Sequence, residues 1–256
     1  MIVVASRFLL SILIGCIPVS AAAEEETVIL LHGLGRTDRS MRSLEKRLSK
    51  AGFRVQNLRY PSTELSPSEL TVFLDGELAT CCNSAARIHF VTHSMGGVLV
   101  RAYLAEHRPP NLGRVVMLAP PNHGSEFVDA LGDSKLFRSV FGPTATELGT
   151  DENSLPNRLP RPWFELGIIA GTKSVNPLGA FVVPGESDGA VSVESARLAG
   201  MEDFVAVPTS HTFIVRSKQV AEYVIRFLRT GRFQAEAQPA GWDPTPAGPP
   251  AAGCNA

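Results

Sequence analysis

The chain has 256 residues, of which 44% are hydrophobic, and this is enough to form a globular core of ordinary size. Its 24 basic and 25 acidic residues leave a formal net charge of -1. Because the charges balance, no excess of either sign recruits nucleic acid or an anionic membrane surface.

The first residues, MIVVASRFLLSILIGCIPVSAAAEEE, have the layout of a secretory signal peptide. Arg7 precedes an apolar run that is too short to span a membrane, and three alanines end the segment before acidic Glu24. We therefore expect residues 1–23 to be removed and the protein to be exported, to the periplasm or the medium. A second interpretation stays open, because the sequence LIGC ending at Cys16 resembles a lipobox, in which that cysteine would carry a lipid anchor.

Strand and helix patterns alternate through the first half of the mature chain. In chain order they are an apolar strand, TVILLHGLG; a helix, RSMRSLEKRLSKAG; a strand, FRVQNL; a helix opened by the capping box SPSEL; a strand at Ile88 to Thr92; a helix from Gly96 to about His107; and a strand, RVVMLAP. Such an alternation requires crossover connections. It predicts an α/β fold with a mostly parallel sheet that helices cover on both faces.

The second half of the chain is less regular. Residues 122–162 break into short helix-like pieces, which could pack at the domain edge or form a lid over the strand ends. The pattern then predicts strands at ELGIIAG, AFVVPG and DFVAVP, followed by an amphipathic helix, VRSKQVAEYVIRFLRTG. Residues 234–256 are rich in Pro, Ala and Gly and are predicted to form a flexible tail. We thus expect one domain over residues 24–233.

Ser94 lies at the end of a predicted strand, in RIHFVTHSMGGVLVRAYLAEHRP. A serine there could cap the following helix. The two glycines that follow it instead suggest the nucleophile elbow G-x-S-x-G, a sharp strand-to-helix turn that exposes the serine hydroxyl. Thr92 stands where this motif has its first glycine, so the match rests on the remaining positions and on their context.

A nucleophilic serine needs a histidine base and an acid that orients the base, and in this fold the order along the chain is Ser, acid, His. Three histidines follow Ser94. His107 lies at the far end of the next helix, roughly 20 Å away at the rise of a helix, and His123 would precede the acid. His211, after the last predicted strand, is therefore the expected base.

The expected acid is Asp188, in PGESDGAVSVESA, although Asp-Gly is also a common turn former. Glu186 and Asp203 are the alternatives. Acyl transfer also requires two amides that stabilise the oxyanion. We expect these to be the N–H of Met95, after the nucleophile, and that of Leu34, in the first glycine-rich turn.

The turn GLGRTD at this position does not match a dinucleotide-binding fingerprint, since Asp38 stands where the third glycine is required. Arg36 and Arg39 flank the turn and could meet a phosphate group or pair with surface acids.

With these residues in view, the chain resembles the α/β-hydrolase superfamily, and within it the small secreted bacterial lipases and esterases. The resemblance runs from about Val28 to Phe233 and rests on LHGLG, VTHSMGG, ESDGAVSVESA and PTSHTFI. It implies a Ser-His-Asp triad that cleaves carboxyl esters without metal or cofactor, with a small-molecule ester or a lipid as substrate.

Other functions on the same triad remain open: a thioesterase, a phospholipase, an acyltransferase, or a non-catalytic binding protein with this fold. Membrane contact is expected only if Cys16 is lipidated or if the substrate is a lipid. Removal of the signal peptide would leave Cys81, Cys82 and Cys254, an odd number whose pairing the sequence does not indicate. It indicates no oligomeric state either.

Overall fold

The computed structural model describes residues 26–82, 85–132 and 134–234. The predicted signal peptide, the lipobox at Cys16 and the tail from residue 235 onward, with Cys254, lie outside the described residues. At the end of one helix, Cys81 and Cys82 form a disulfide with each other.

A single sheet of six strands organises the described residues, and every strand pair in it is parallel. In chain order the strands are β1 (Glu26–Leu31), β2 (Arg54–Leu58), β3 (Arg87–His93), β4 (Leu112–Leu118), β5 (Leu166–Gly171) and β6 (Asp203–Val207). Their spatial order is β2-β1-β3-β4-β5-β6. This arrangement confirms the predicted α/β fold and the resemblance to the α/β-hydrolases.

Helices cover both faces of this sheet. In chain order they are α1 (Arg42–Lys50), α2 (Pro67–Cys81), α3 (Met95–Glu106), α4 (Glu126–Leu131), α5 (Lys135–Phe141), α6 (Pro143–Thr146), α7 (Leu155–Arg158), α8 (Pro177–Val182), α9 (Val193–Ala196) and α10 (Lys218–Thr230). No helix in the described part of the chain is both long enough and apolar enough to cross a membrane.

The two faces of β1 show why the strands are nearly continuous apolar runs. Val28 and Leu30 pack into the core layer that contains the inner faces of α1 and α10. Ile29 and Leu31 point the other way, into the layer formed with α2 and α3. Because successive side chains of a strand alternate between faces, a strand covered on both sides must be apolar at every position.

The prediction of a strand at AFVVPG is wrong, because the first half of this segment belongs to α8 and the second half forms no strand. Asn176 caps this helix by accepting a hydrogen bond from the amide of Leu178, and Pro177 occupies its first turn. The short apolar run had no periodicity that distinguishes a strand from a helix. The sheet therefore passes directly from β5 to β6.

The spatial order of the strands places a crevice at one point of the sheet. The chain crosses from β1 to one side, forming β2, and later returns to the other side, forming β3. Ligands of open α/β sheets bind at such a switch point, beyond the carboxyl ends of the strands. The turns that follow β1 and β3 contain Leu34 and Ser94 respectively, so both predicted site residues lie at this crevice.

Candidate active site

Ser94 occupies a strained turn between β3 and α3. Its backbone has φ 53° and ψ -126°, a region that residues other than glycine rarely adopt and that is found mainly at functional sites. The Ser94 side chain makes no capping hydrogen bond to the helix. The geometry therefore does not support the interpretation that this serine serves only as a helix cap.

The glycines around Ser94 allow two turns to pack against each other. A Cβ on Gly96 would lie 2.9 Å from the carbonyl oxygens of both Leu31 and His32. A Cβ on Gly33 would lie 3.2 Å from the Cβ of Ser94. The turn after β1 and the turn after β3 are thus in direct contact, and only glycine permits this separation.

The structure brings the three predicted triad residues together at the ends of different strands. The Ser94 hydroxyl donates to Nε2 of His211 across 3.0 Å, and Nδ1–H of His211 donates to Oδ2 of Asp188 across 2.8 Å. In this tautomer Nε2 is free to take the serine proton. The arrangement has the hydrogen-bond order of a nucleophile, a base and an orienting acid.

Asp188 is held firmly in this arrangement. Its side chain is 1% exposed, and its second oxygen, Oδ1, accepts from the amides of Ala190 and Val191, each across 2.9 Å. The backbone carbonyl of Asp188 also accepts from the His211 amide across 3.1 Å. These hydrogen bonds fix the orientation of the buried carboxyl group.

The two alternative acids have other surroundings. Asp203 lies at the start of β6, where its carboxylate accepts from the amides of Phe204 and Phe233. Glu186 is exposed, and no hydrogen bond connects its side chain with His211 in the described residues. Asp188 is thus the acid that the structure brings to His211.

The remaining histidines after Ser94 lie away from it. His107 stacks on Tyr103 and bonds the carbonyl of that residue. His123 is exposed and pairs with the side chain of Asn157. Within the described residues, neither imidazole forms a hydrogen bond with Ser94.

The turn after β1 leaves an amide available beside Ser94. The amides of Gly35 and Arg36 donate to Ser62 Oγ and to the Gly33 carbonyl, whereas that of Leu34 donates to no residue in the described part of the chain. Met95 begins α3, and the first amides of a helix have no partner within the helix. These are the two amides that were predicted to form an oxyanion hole.

His93 is a site residue that the sequence did not single out, although it precedes the serine. Its Nε2–H donates to the backbone carbonyl of His211 across 2.9 Å, and its ring lies 4.8 Å from that of His211. Burial and the neighbouring His211 keep the pKa of His93 well below its usual value. A neutral His93 thus ties the end of β3 to the loop that carries the expected base.

Tyr60, also missed in the sequence, supports the turn after β1. Its hydroxyl donates to the carbonyl of His32, and its ring stacks on the imidazole of that residue at 4.1 Å. Burial raises the pKa of Tyr60, so the hydroxyl stays a donor. No sequence signal indicates this role, because Tyr60 comes from the loop after β2.

A cavity of about 880 Å³ opens directly above Ser94 and His211. Its volume is in the range of sites for organic ligands. One wall comes from the 122–162 segment, whose lining side chains are mainly apolar: Phe127, Val128, Phe137, Val140, Phe141 and Leu148. This segment therefore covers the strand ends, in the position where the sequence allowed a lid.

The turns after β1 and β2 contribute charged side chains to the same cavity. Arg36, Arg59 and Glu64 line it, and the guanidinium of Arg36 donates to the hydroxyl of Thr212 across 3.3 Å. Arg39 does not line it. The cavity thus offers apolar surface from one side and charged groups from the other.

The 122–162 segment is fastened to the sheet layer by a buried cation. Arg101, on α3, donates to the backbone carbonyl and the side-chain oxygen of Asn122 and to the carbonyls of Pro156 and Leu159. Burial lowers the pKa of Arg101 to about 10, so it remains charged at neutral pH.

No group of three or more potential metal ligands lies together within the described residues.

The parallel sheet and the strand-end serine turn define an α/β-hydrolase. A sequence profile described as palmitoyl protein thioesterase matches residues 27–154, which is half of the chain. The chain belongs to the palmitoyl protein thioesterase family, and this family assignment supports a hydrolase that acts on esters or thioesters. No curated protein matches the sequence.

Several solved structures share the fold. The mature lipase BlEst2 from Bacillus licheniformis is 18% identical, with a TM-score of 0.64 over 82% of this chain and 93% of that one. The phospholipase PlaB from Legionella pneumophila is 21% identical, with a TM-score of 0.64 over 82% of this chain and 60% of that one. The metagenomic carboxyl esterase MGS0156 is 16% identical, with a TM-score of 0.57 over 76% of this chain and 66% of that one.

Proposed function

We propose that the protein is a serine hydrolase that cleaves carboxyl esters of apolar acyl groups by way of an acyl-enzyme. The observation that carries this proposal is the continuous hydrogen-bond chain from Ser94 through His211 to Asp188 at the floor of the cavity. A serine hydroxyl is a weak nucleophile unless an oriented base takes its proton. This geometry supports His211 as that base.

The proposed reaction has two acyl transfers. In the first, Ser94 Oγ attacks the ester carbonyl carbon while Nε2 of His211 takes the hydroxyl proton, and the resulting oxyanion lies at the amides of Leu34 and Met95. The imidazolium then donates that proton to the leaving alkoxide as the bond from the carbonyl carbon to the alkoxide oxygen breaks. In the second transfer, water attacks the carbonyl carbon of the acyl-enzyme while His211 takes a proton from the water. The bond from that carbon to Ser94 Oγ then breaks, and His211 returns the proton to Ser94 Oγ.

The cavity supports an apolar acyl group as the part of the substrate that is recognised. Phe137 and Phe141 contribute aromatic rings 4.8 Å apart, and Phe141 lies over the turn that contains Leu34, within 3.1 Å of where a Cβ on Gly35 would be. Burying each additional methylene of an acyl chain against such walls contributes about 0.8 kcal/mol. We therefore expect longer acyl chains to be better substrates.

The second candidate function is hydrolysis of acyl thioesters, which the family assignment favours. The same triad attacks either carbonyl, and the difference lies in the leaving group. A direct comparison uses p-nitrophenyl butanoate, octanoate and palmitate beside the coenzyme A thioesters of the same acids. We expect turnover of the esters, with kcat/KM rising from butanoate to the longer chains; turnover of the thioesters alone would replace the ester proposal by the thioesterase.

We also propose that the protein acts outside the cytoplasm. The signal-peptide pattern of residues 1–23 supports export, and so does the disulfide between Cys81 and Cys82, because disulfides persist in oxidising compartments. Fractionation of cells that express the full chain, with intact mass of the product, tests this. We expect a chain that begins near Glu24 outside the inner membrane. A cytoplasmic full-length chain would contradict export, whereas a lipid-modified Cys16 would contradict only the cleavage near Glu24.

A further inference from the structure

Exposed apolar side chains concentrate at the mouth of the cavity. Eight large hydrophobic residues are exposed within the described part of the chain. Six of them form what we call the apolar rim: Leu136, Val140, Val175, Leu178, Phe181 and Phe213. Clusters of exposed apolar residues on soluble proteins mark surfaces that contact other molecules.

The apolar rim is continuous with the lining of the cavity. Val140 and Val175 line the cavity although they are 54% and 66% exposed. Phe213 directly follows Thr212, which also lines it. Part of the rim therefore lies at the opening of the cavity that contains Ser94.

The helix α5 is apolar on two sides. Phe137 is buried and lines the cavity, whereas Leu136, the residue before it, is 73% exposed. A surface helix of a globular protein normally presents polar residues to the solvent. The outward apolar side of α5 thus has no partner within the described residues.

The helix α8 also exposes apolar side chains. Gly179 packs so closely on the loop of the expected acid that a Cβ there would lie 1.9 Å from the carbonyl oxygen of Gly189. Leu178 and Phe181, on other sides of this helix, are 46% and 89% exposed. The helices α5 and α8 therefore both present apolar side chains outward.

The charges interspersed with the apolar rim are positive. Lys135 precedes Leu136, Lys173 lies two residues before Val175, and the Arg216 guanidinium lies 5.8 Å from the ring centre of Phe213. The segments that carry the rim, residues 134–145, 172–185 and 207–217, contain no Asp or Glu. In a chain whose charges balance overall, this is a local excess of positive charge.

We propose that the apolar rim docks the protein onto an anionic lipid bilayer. Its apolar side chains would enter the boundary between headgroups and acyl chains, and the cations would lie at the lipid phosphates, as in other interfacial apolar surfaces flanked by basic residues. Docking in this orientation faces the cavity mouth towards the lipid. An acyl chain then passes from the bilayer to Ser94 without crossing water.

Docking is binding and does not require the proposed chemistry, so it is tested without turnover. The full chain carrying Cys16→Ser and Ser94→Ala, which removes lipid attachment and acyl transfer, is sedimented with vesicles of phosphatidylglycerol and phosphatidylcholine, or of phosphatidylcholine alone. The test variant adds Leu136→Ser and Phe181→Ser, neither of which lines the cavity. The matched control adds Val72→Ser on α2, because Val72 is 73% exposed, like Leu136, and lies outside the rim.

We expect the parent and the Val72→Ser variant to bind the anionic vesicles equally. We expect the affinity of the rim variant for these vesicles to be lower by a factor of about ten or more. Lys135→Gln with Lys173→Gln should reduce both binding and its sensitivity to salt. Absence of vesicle binding by the folded parent, or equal binding by the rim variant, would overturn the proposal. Light scattering would also overturn the proposal if it showed that the parent and the Val72→Ser variant are dimers and that the rim variant is a monomer. The rim would then be the contact surface for a second copy of the chain.

A failure of docking is distinguishable from a failure of the proposed function. The rim substitutions are also made with Ser94 intact, and hydrolysis of the soluble ester p-nitrophenyl butanoate is measured. We expect this activity to remain unchanged, which also reports that the variant folds. Loss of vesicle binding with unchanged ester hydrolysis is the combined result that docking predicts.

Discussion

The sheet with its strand-end turns and the wall above the cavity are built differently. In the sheet region, hydrogen bonds link Ser94, His211 and Asp188, and the glycines beside them leave no space for a Cβ. In the wall, the short helix α5 presents apolar side chains both to the cavity and to the outside. The first region is determined by contacts on all sides, whereas the second is only partly packed.

This difference assigns separate tasks to the two regions. A reacting group must be held within a fraction of an ångström, so changes in the sheet region should alter the rate for every substrate. A wall of apolar side chains recognises surface and volume, so changes there should alter which substrate is preferred. The expected effects of substitutions therefore differ in size and in dependence on the acyl chain.

The largest expected effect is that of Asp188→Asn. The amide no longer favours the tautomer in which His211 Nε2 accepts the serine proton, so kcat should fall about 10⁴-fold for short and long esters alike. Steady-state kinetics on p-nitrophenyl butanoate and palmitate measures this. Glu186→Gln, two residues away and exposed, is the control and should leave kcat unchanged; the opposite pattern would move the acid to Glu186.

A second expected effect concerns the stability of the sheet region against acid. Burial lowers the pKa of His89, on β3, to about 4 from an ordinary value of 6.5. Between these two pH values the unfolded chain binds a proton that the folded chain does not, so the free energy of unfolding falls as the pH drops, by about 3 kcal/mol for this residue. Urea denaturation at about pH 7 and about pH 4.5 measures the loss.

The matched variant for this pH effect is His89→Gln, which keeps an acceptor for the amide of Arg114, 2.8 Å from His89 Nδ1, but does not titrate. Buried His32 and His93 also have lowered pKa values, so the variant should lose less stability on acidification without becoming insensitive. An equal loss of unfolding free energy on acidification in the wild type and in His89→Gln would show that the His89 imidazole does not contribute to the acid sensitivity.

The third expected effect is that of Gly96→Ala, which tests the tight contact between the two turns. The added methyl would meet backbone oxygens at 2.9 Å, so we expect a loss of about 1–3 kcal/mol in stability together with reduced kcat. Gly76→Ala is the matched control, because nothing lies within 4 Å of a Cβ at that position in α2. It should stabilise the protein by about 0.5–1 kcal/mol. Equal changes in stability for Gly96→Ala and Gly76→Ala would contradict the closer packing that the structure shows around Gly96.

The smallest expected effect is in the wall. Phe141→Ala removes a ring that lies over the turn of Leu34, and we expect kcat/KM to fall about tenfold for the palmitate ester and less than about threefold for the butanoate ester. Leu136→Ala, on the same helix but outside the cavity lining, should leave kcat/KM for the soluble butanoate ester unchanged. A uniform fall for all chain lengths would mean that Phe141 acts on the chemistry instead.

The sequence was informative where the local pattern and the geometry coincide. Ser94 has its glycines beside it in the chain, and the order of strands limits which later residues can reach it, so His211 and Asp188 could be selected from few candidates. The parallel sheet likewise follows from the alternation of strands and helices. These features depend on neighbours in the sequence.

The features that the sequence did not predict depend on distant residues. The helix α8 was expected to be a strand, because a short apolar run between turns fits either structure. The supporting bond from His93 to the His211 carbonyl joins residues far apart in the chain. The outward direction of Phe181 follows from the close packing of Gly179 on Gly189, which no local pattern encodes.

The central claim is that Ser94 is a nucleophile activated by His211, and labelling with a fluorophosphonate probe tests it most directly. The purified protein is compared with Ser94→Ala and His211→Ala, and the modified peptide is identified by mass spectrometry. We expect one adduct on Ser94 in the wild type and none in either folded variant. A folded wild type that takes no label, or a label that persists in Ser94→Ala, would contradict the claim and leave a binding protein that keeps the fold without the chemistry.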